Sequence, residues 1–197
     1  MNIRRFQGWA LIISALVSTL LILFYLFGAT GRIQYLYEAL TLVATLLFIF
    51  GLPSIQSTQP QTKLWGQIGT ILMLIPLIDL LLVEFIYLFV GQSVLLSKLE
   101  YSIWTSLAKA GVAYSGYLLV GWLTIRSRVF PAWAGWLFLI YGAVMTVYWQ
   151  LPNDVWSSTV PEFLFWTLRA IEIVALVGYG WGALDTNRYK YSISANL

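Results

Sequence analysis

Six long apolar runs set what this chain can fold into. A helix needs about 20 mainly apolar residues to cross the roughly 30 Å hydrocarbon layer of a bilayer. Segments at 8–28, 34–52, 64–90, 101–124, 132–150 and 161–184 meet that requirement. Short polar or Gly/Pro-containing breaks separate them, among them "PSIQSTQPQTK", "RSRVFP" and "LPNDVWSSTVPE". None of these breaks is long enough to hold a soluble domain. The expected fold is all-α: a six-helix transmembrane bundle forming a single integral membrane domain over residues 1–197.

Composition points the same way. Of the 197 residues, 60% are hydrophobic and only 10% charged, whereas a soluble domain usually has about a quarter charged residues. Lipid is therefore the solvent for most of the chain. Arg4 and Arg5 ahead of the first run resemble the start of a signal peptide. A signal's apolar core is about 7–15 residues and ends at small residues, but this run continues to Phe27 without an A-x-A site. It reads as a retained helix.

Basic residues set the direction. With the N-terminus inside, Arg4, Arg5, Lys63, Arg126, Arg128, Arg188 and Lys190 fall on the cytoplasmic face, and only Arg32 and Lys98 on the other. Lys/Arg excess marks the cytoplasmic side, and an even number of spans places both termini there. The net charge of +3 is accounted for by this bias. It reads as topology, not as a nucleic-acid footprint. The expected surroundings are a lipid bilayer, a bacterial cytoplasmic membrane, with other membrane subunits as candidate neighbours.

The chain has no cysteine and no histidine. Disulfides, thiolate chemistry, zinc on Cys or His, and His-ligated haem are thereby excluded, as is serine–histidine catalysis. What remains are carboxylates, Lys109, hydroxyls and aromatics, and that inventory weighs against an enzyme. No phosphate loop, EF-hand loop or dinucleotide fingerprint is present, and no cofactor is indicated.

The most informative residues are charges inside apolar runs. At 1.5 Å rise per residue, Glu172 falls near the midplane of its span. Asp79, Lys109, Arg169, Glu38 and Glu84 lie outward of the midplane by roughly 3 to 10 Å. A charge at the bilayer centre costs at least about 2.5–3.5 kcal/mol on insertion scales. Such groups face the bundle interior or a wet cavity and pair with one another. Lys109 lies at a depth between Asp79 and Glu84, so either is a partner for it. Arg169 and Glu172, three apart, meet on one helix surface, and Glu162 is two turns earlier on nearly the same face. The candidate site is thus Asp79, Glu84, Lys109, Arg169 and Glu172, with Glu38, Glu162, Ser106 and Tyr114 as additional members. Glu38, Asp79, Glu84 and Glu172 outnumber Lys109 and Arg169, leaving two surplus carboxylates.

The competing reading is structural, because buried ion pairs also fix helix register. It is favoured for Arg169–Glu172 and for Glu38, and is evenly balanced for Lys109 with Asp79. Pro76, one turn before Asp79, predicts a kink. Ser102, Ser106, Lys109, Ala113 and Gly116 form a small, polar face that should point inward. Gly178 with Gly182, and Ala10 with Ser14 and Ser18, are small-residue stripes expected to pack within the chain.

From Gly116 to Met145 the sequence reads "GYLLVGWLTIRSRVFPAWAGWLFLIYGAVM". Arg126, Ser127, Arg128, Pro131, Trp133 and Trp136 resemble the hairpin of small uncharacterised bacterial multi-pass proteins. The resemblance implies membrane class and topology only.

Two functions remain in view. One is a small polytopic membrane protein that binds or transports a small cationic, proton-coupled or amphiphilic solute at a site in the outer half of the bundle. The alternative is a non-catalytic accessory or structural subunit of a larger membrane complex.

Overall fold

The computed structural model describes residues 3–26, 32–57, 63–89, 111–150 and 162–185. Among them are six helices and no strand: α1 (Ile3–Leu26), α2 (Arg32–Ser57), α3 (Lys63–Phe89), α4 (Val112–Ser127), α5 (Ala132–Gln150) and α6 (Glu162–Leu184). Each helix packs on its neighbours in sequence, and α6 packs back on α1. The result is a closed up-and-down ring.

Small residues set the closest approaches. A methyl group added at Gly180 would lie 2.8 Å from the Gly8 carbonyl oxygen, where α6 crosses the start of α1. Gly121 of α4 and Gly135 of α5 abut each other's backbone in the same way. Small residues let helix backbones meet where lipid gives no hydrophobic drive for association. Gly178 faces Trp133 of α5 and Gly182 faces Phe130 in the α4–α5 connection, so that stripe packs within the chain.

Helices α1, α2, α3 and α6 each contain a segment long and apolar enough to cross a membrane, and Ala132–Val147 in α5 is a shorter apolar helix. Their outward faces carry exposed Leu16, Leu46, Ile71, Ile140 and Val174, whereas Ser14, Thr45, Ser54, Thr70, Thr124 and Glu172 are buried. Apolar outward faces suit contact with lipid, and the few polar groups at depth turn into the bundle, as in a membrane protein. Six exposed tryptophans, Trp9, Trp65, Trp122, Trp133, Trp136 and Trp181, form a collar at one end of the ring. That end comprises the starts of α1, α3 and α5 and the ends of α2, α4 and α6.

Helix limits differ from expectation: α1 begins at Ile3, ahead of the expected residue 8. The second helix continues past Leu52 through Pro53 to Ser57. Proline removes only the bond to the carbonyl of Ile49, and the last turn is held by buried Ser54 and Ile55, with the Ser54 hydroxyl donating to the Gly51 carbonyl at 2.7 Å. The fourth helix runs to Ser127 and not Thr124, and ends there because Arg128 adopts a left-handed φ of 55°. Its N–H donates to the Thr124 carbonyl at 3.2 Å, closing the last turn as a left-handed cap does. Arg126 in that turn lies over the Trp122 ring, 5.2 Å from its centre. Helix α3 passes through Pro76 without a break.

Candidate functional site

Helical spacing places Arg169 and Glu172 one turn apart on the same face of α6. The guanidinium Nη1 donates to Glu172 Oε2 at 2.8 Å. The other oxygen, Oε1, accepts the Tyr117 hydroxyl of α4 at 2.6 Å. Both carboxylate oxygens therefore have a donor, as a buried anion requires. Hydrogen bonds to an ionised acceptor are stronger than neutral ones. Glu172 is only 4% exposed.

Aromatic packing fixes the Tyr117 ring. It packs at a tilt against Tyr141 at 4.8 Å and meets Phe138 edge-on at 5.1 Å. Tyr114 lies 6.2 Å from both Tyr117 and Tyr141. Further along, Tyr179 of α6 packs on Phe138 and Phe130 and donates to the Thr124 hydroxyl of α4 at 2.9 Å. The α4–α5–α6 side of the ring is thus filled with aromatic side chains.

The opposite side is hollow. A partly open cavity of about 240 Å³ lies among α1, α2, α3 and α6. These are the four helices with membrane-crossing segments. Leu21, Ile22, Phe48, Leu77, Leu80, Ile173 and Leu176 provide apolar wall, and Ser14, Ser18, Tyr37, Thr41, Thr45, Trp166, Arg169 and Glu172 provide polar groups. Its lining belongs to the later half of α1 and the earlier half of α6, so the cavity occupies the half of the ring away from the tryptophan collar. The Ser14 hydroxyl donates to the Ala44 carbonyl at 2.7 Å, tying α1 to α2 in the wall. Thr41 donates to the Tyr37 carbonyl at 3.0 Å within α2.

Of the residues singled out in the sequence, Arg169 and Glu172 come together at the cavity and Tyr114 joins the aromatic side. Glu38 is half-buried on α2 and is not among the cavity lining. Lys109 and Ser106 lie outside the described residues, as do the side chains of Asp79, Glu84 and Glu162. Among the described residues no three carboxylates gather as a metal site. Sequence reasoning did not single out Tyr117. Its signal was a phenol at mid-span in an apolar helix, where the hydroxyl requires a partner. Ser14 and Ser18 were read as packing residues alone, although they also line the cavity. No protein-family model matches the chain, and neither a curated protein nor a solved structure matches it.

Proposed function

We propose that the chain is a six-span protein of a bacterial cytoplasmic membrane that binds or transports a small amphiphilic solute in the cavity among α1, α2, α3 and α6. The observation that carries this reading is a hollow with apolar walls and a few polar groups, one of them the Arg169–Glu172 pair. Small-molecule sites have this mix of an apolar lining with a few placed polar groups. An ionisable pair inside a membrane is by default a candidate functional site.

Orientation is part of the proposal. The tryptophan collar marks a headgroup level, and it shares its end of the ring with Arg4, Arg5, Arg126 and Arg128; Lys/Arg excess identifies the cytoplasmic side. Both termini are then cytoplasmic and the cavity lies in the outer half.

The test is ligand-induced thermal stabilisation of the protein in lipid nanodiscs across a panel of small amphiphiles. The wild type is compared with Ser18→Phe, which fills the cavity. Stabilisation that Ser18→Phe abolishes supports the proposal. No response to any amphiphile overturns it, and recovery from mild detergent only as part of a larger co-purifying complex would favour the accessory-subunit reading.

A further inference from the structure

The cavity wall built by α1 and α2 is rich in hydroxyls. Ser14 and Ser18 are one turn apart on α1, Thr41 and Thr45 one turn apart on α2, and all four line the cavity. The Ser14 hydroxyl reaches the Ala44 carbonyl at 2.7 Å, which sets Ser14 level with the neighbourhood of Thr45. Because α1 and α2 run in opposite directions, four residues onward on α1 correspond to four residues back on α2. Ser18 therefore stands at about the height of Thr41, and the four hydroxyls form a strip along the wall.

Two of these hydroxyls have committed their protons. Ser14 donates to Ala44, and Thr41 donates to the Tyr37 carbonyl at 3.0 Å. A hydroxyl has one donor and two acceptor lone pairs, so these two offer a ligand acceptors. Ser18 and Thr45 can donate or accept. Charge on the lining is balanced. Among the described residues it carries one cation and one anion, Arg169 and Glu172, joined at 2.8 Å, and each has a further partner. An ion entering the cavity would shed its hydration and meet no uncompensated counter-charge to offset that loss.

We infer that the cavity takes an uncharged amphiphile headed by a hydroxyl, a medium-chain alcohol. Its O–H lies in the strip on α1 and α2, and its hydrocarbon tail lies on Leu77 and Leu80 of α3 and Ile173 and Leu176 of α6. The inference rests on the binding reading above and specifies its ligand class. It sets aside the cationic solute that the surplus of acids in the sequence suggested. An alcohol is matched twice, because its proton goes to Ser14 or Thr41 and its lone pairs accept from Ser18 or Thr45. An ether has no proton to give, and a charged headgroup finds no counter-ion. An apolar cavity of about 150 Å³ holds benzene, so one of about 240 Å³ admits hexanol.

Four probes separate the possibilities: hexan-1-ol, its isomer methyl pentyl ether, hexanoate and hexylammonium. Binding is read by thermal stabilisation and titration calorimetry on the full chain in nanodiscs of a zwitterionic lipid, with protein-free nanodiscs subtracted. Hexanol should bind about tenfold tighter than the ether, the gain expected from one or two added hydrogen bonds. Both ions should bind less tightly than hexanol.

Thr41→Val keeps the shape of the side chain and should lose part of the preference for hexanol over the ether. The triple variant Ser18→Ala, Thr41→Val, Thr45→Val leaves the Ser14 tie in place and should bind the two isomers alike. Equal binding of the isomers to wild type, or an unchanged preference in the triple variant, would overturn the hydroxyl strip as the headgroup site. Tightest binding of hexanoate or hexylammonium would overturn the uncharged assignment while leaving a binding cavity. Binding of none of the four would overturn the cavity reading itself.

Discussion

The Tyr117 hydroxyl donates to Glu172 Oε1 at 2.6 Å, joining α4 to α6 across 55 residues of sequence. These helices are not neighbours in the ring, since α5 lies between them in the cyclic order. A second link repeats the relationship in reverse: Tyr179 of α6 donates to Thr124 of α4, again 55 residues apart. From 117 to 124 and from 172 to 179 is the same step of seven residues, about 10 Å along a helix. The two hydroxyls therefore form parallel rungs that fix the register of α4 against α6.

Removing one rung should be measurable. Tyr117→Phe keeps the ring and its aromatic contacts but takes the donor from a buried carboxylate. A loss of about 1–2 kcal/mol is expected, between the value for bonds to charged groups in water and the smaller one measured within membranes. Denaturant unfolding in mixed micelles would show it. An unchanged unfolding free energy would mean that Glu172 obtains another donor.

The ion pair predicts non-additivity. Arg169→Met leaves Glu172 buried without its cation and should destabilise by about 2–3 kcal/mol, below the range for fully buried pairs because Arg169 is partly exposed. Adding Glu172→Gln should restore much of the loss. A double variant as weak as the sum of the single changes would show that the two side chains do not couple.

The α1–α6 seam depends on Gly180. A side chain there meets both Ile12 and the Gly8 carbonyl oxygen. Gly180→Leu should push the helices apart and destabilise by about 1–3 kcal/mol or more, as overpacking does. Gly180→Ala should show the smaller effect. A Leu variant with wild-type thermal behaviour would contradict so close a crossing.

Topology can be tested without background, since the chain has no native cysteine. Ser127→Cys, at the end of α4, should react with an impermeant maleimide only after the membrane is opened. Ser157→Cys should react in intact cells. The opposite pattern would invert the orientation and place the cavity toward the cytoplasm.

How much of this was legible in the sequence varies by feature. Apolar runs revealed the helices because lipid imposes length and composition. Their ends were less legible: Arg4 and Arg5 are polar yet continue α1, and Pro53 sits inside α2 because its missing bond falls near the helix end. Arg169 and Glu172 were readable as a pair because three residues on one helix are neighbours whatever the tertiary fold. Tyr117 was not, because its partner is set by which helices face each other, and one-dimensional spacing does not carry that. Nor did it show that the aromatic residues would fill one side of the ring and leave the other hollow.

Closure of the ring by α6 on α1 has a consequence for biogenesis. Helices α1 to α5 can form only an open arc, so the cavity is not enclosed until α6 has been synthesised and inserted. Because Arg169 and Glu172 are one turn apart on that helix, they can enter the bilayer as a neutral couple before any other helix is in reach.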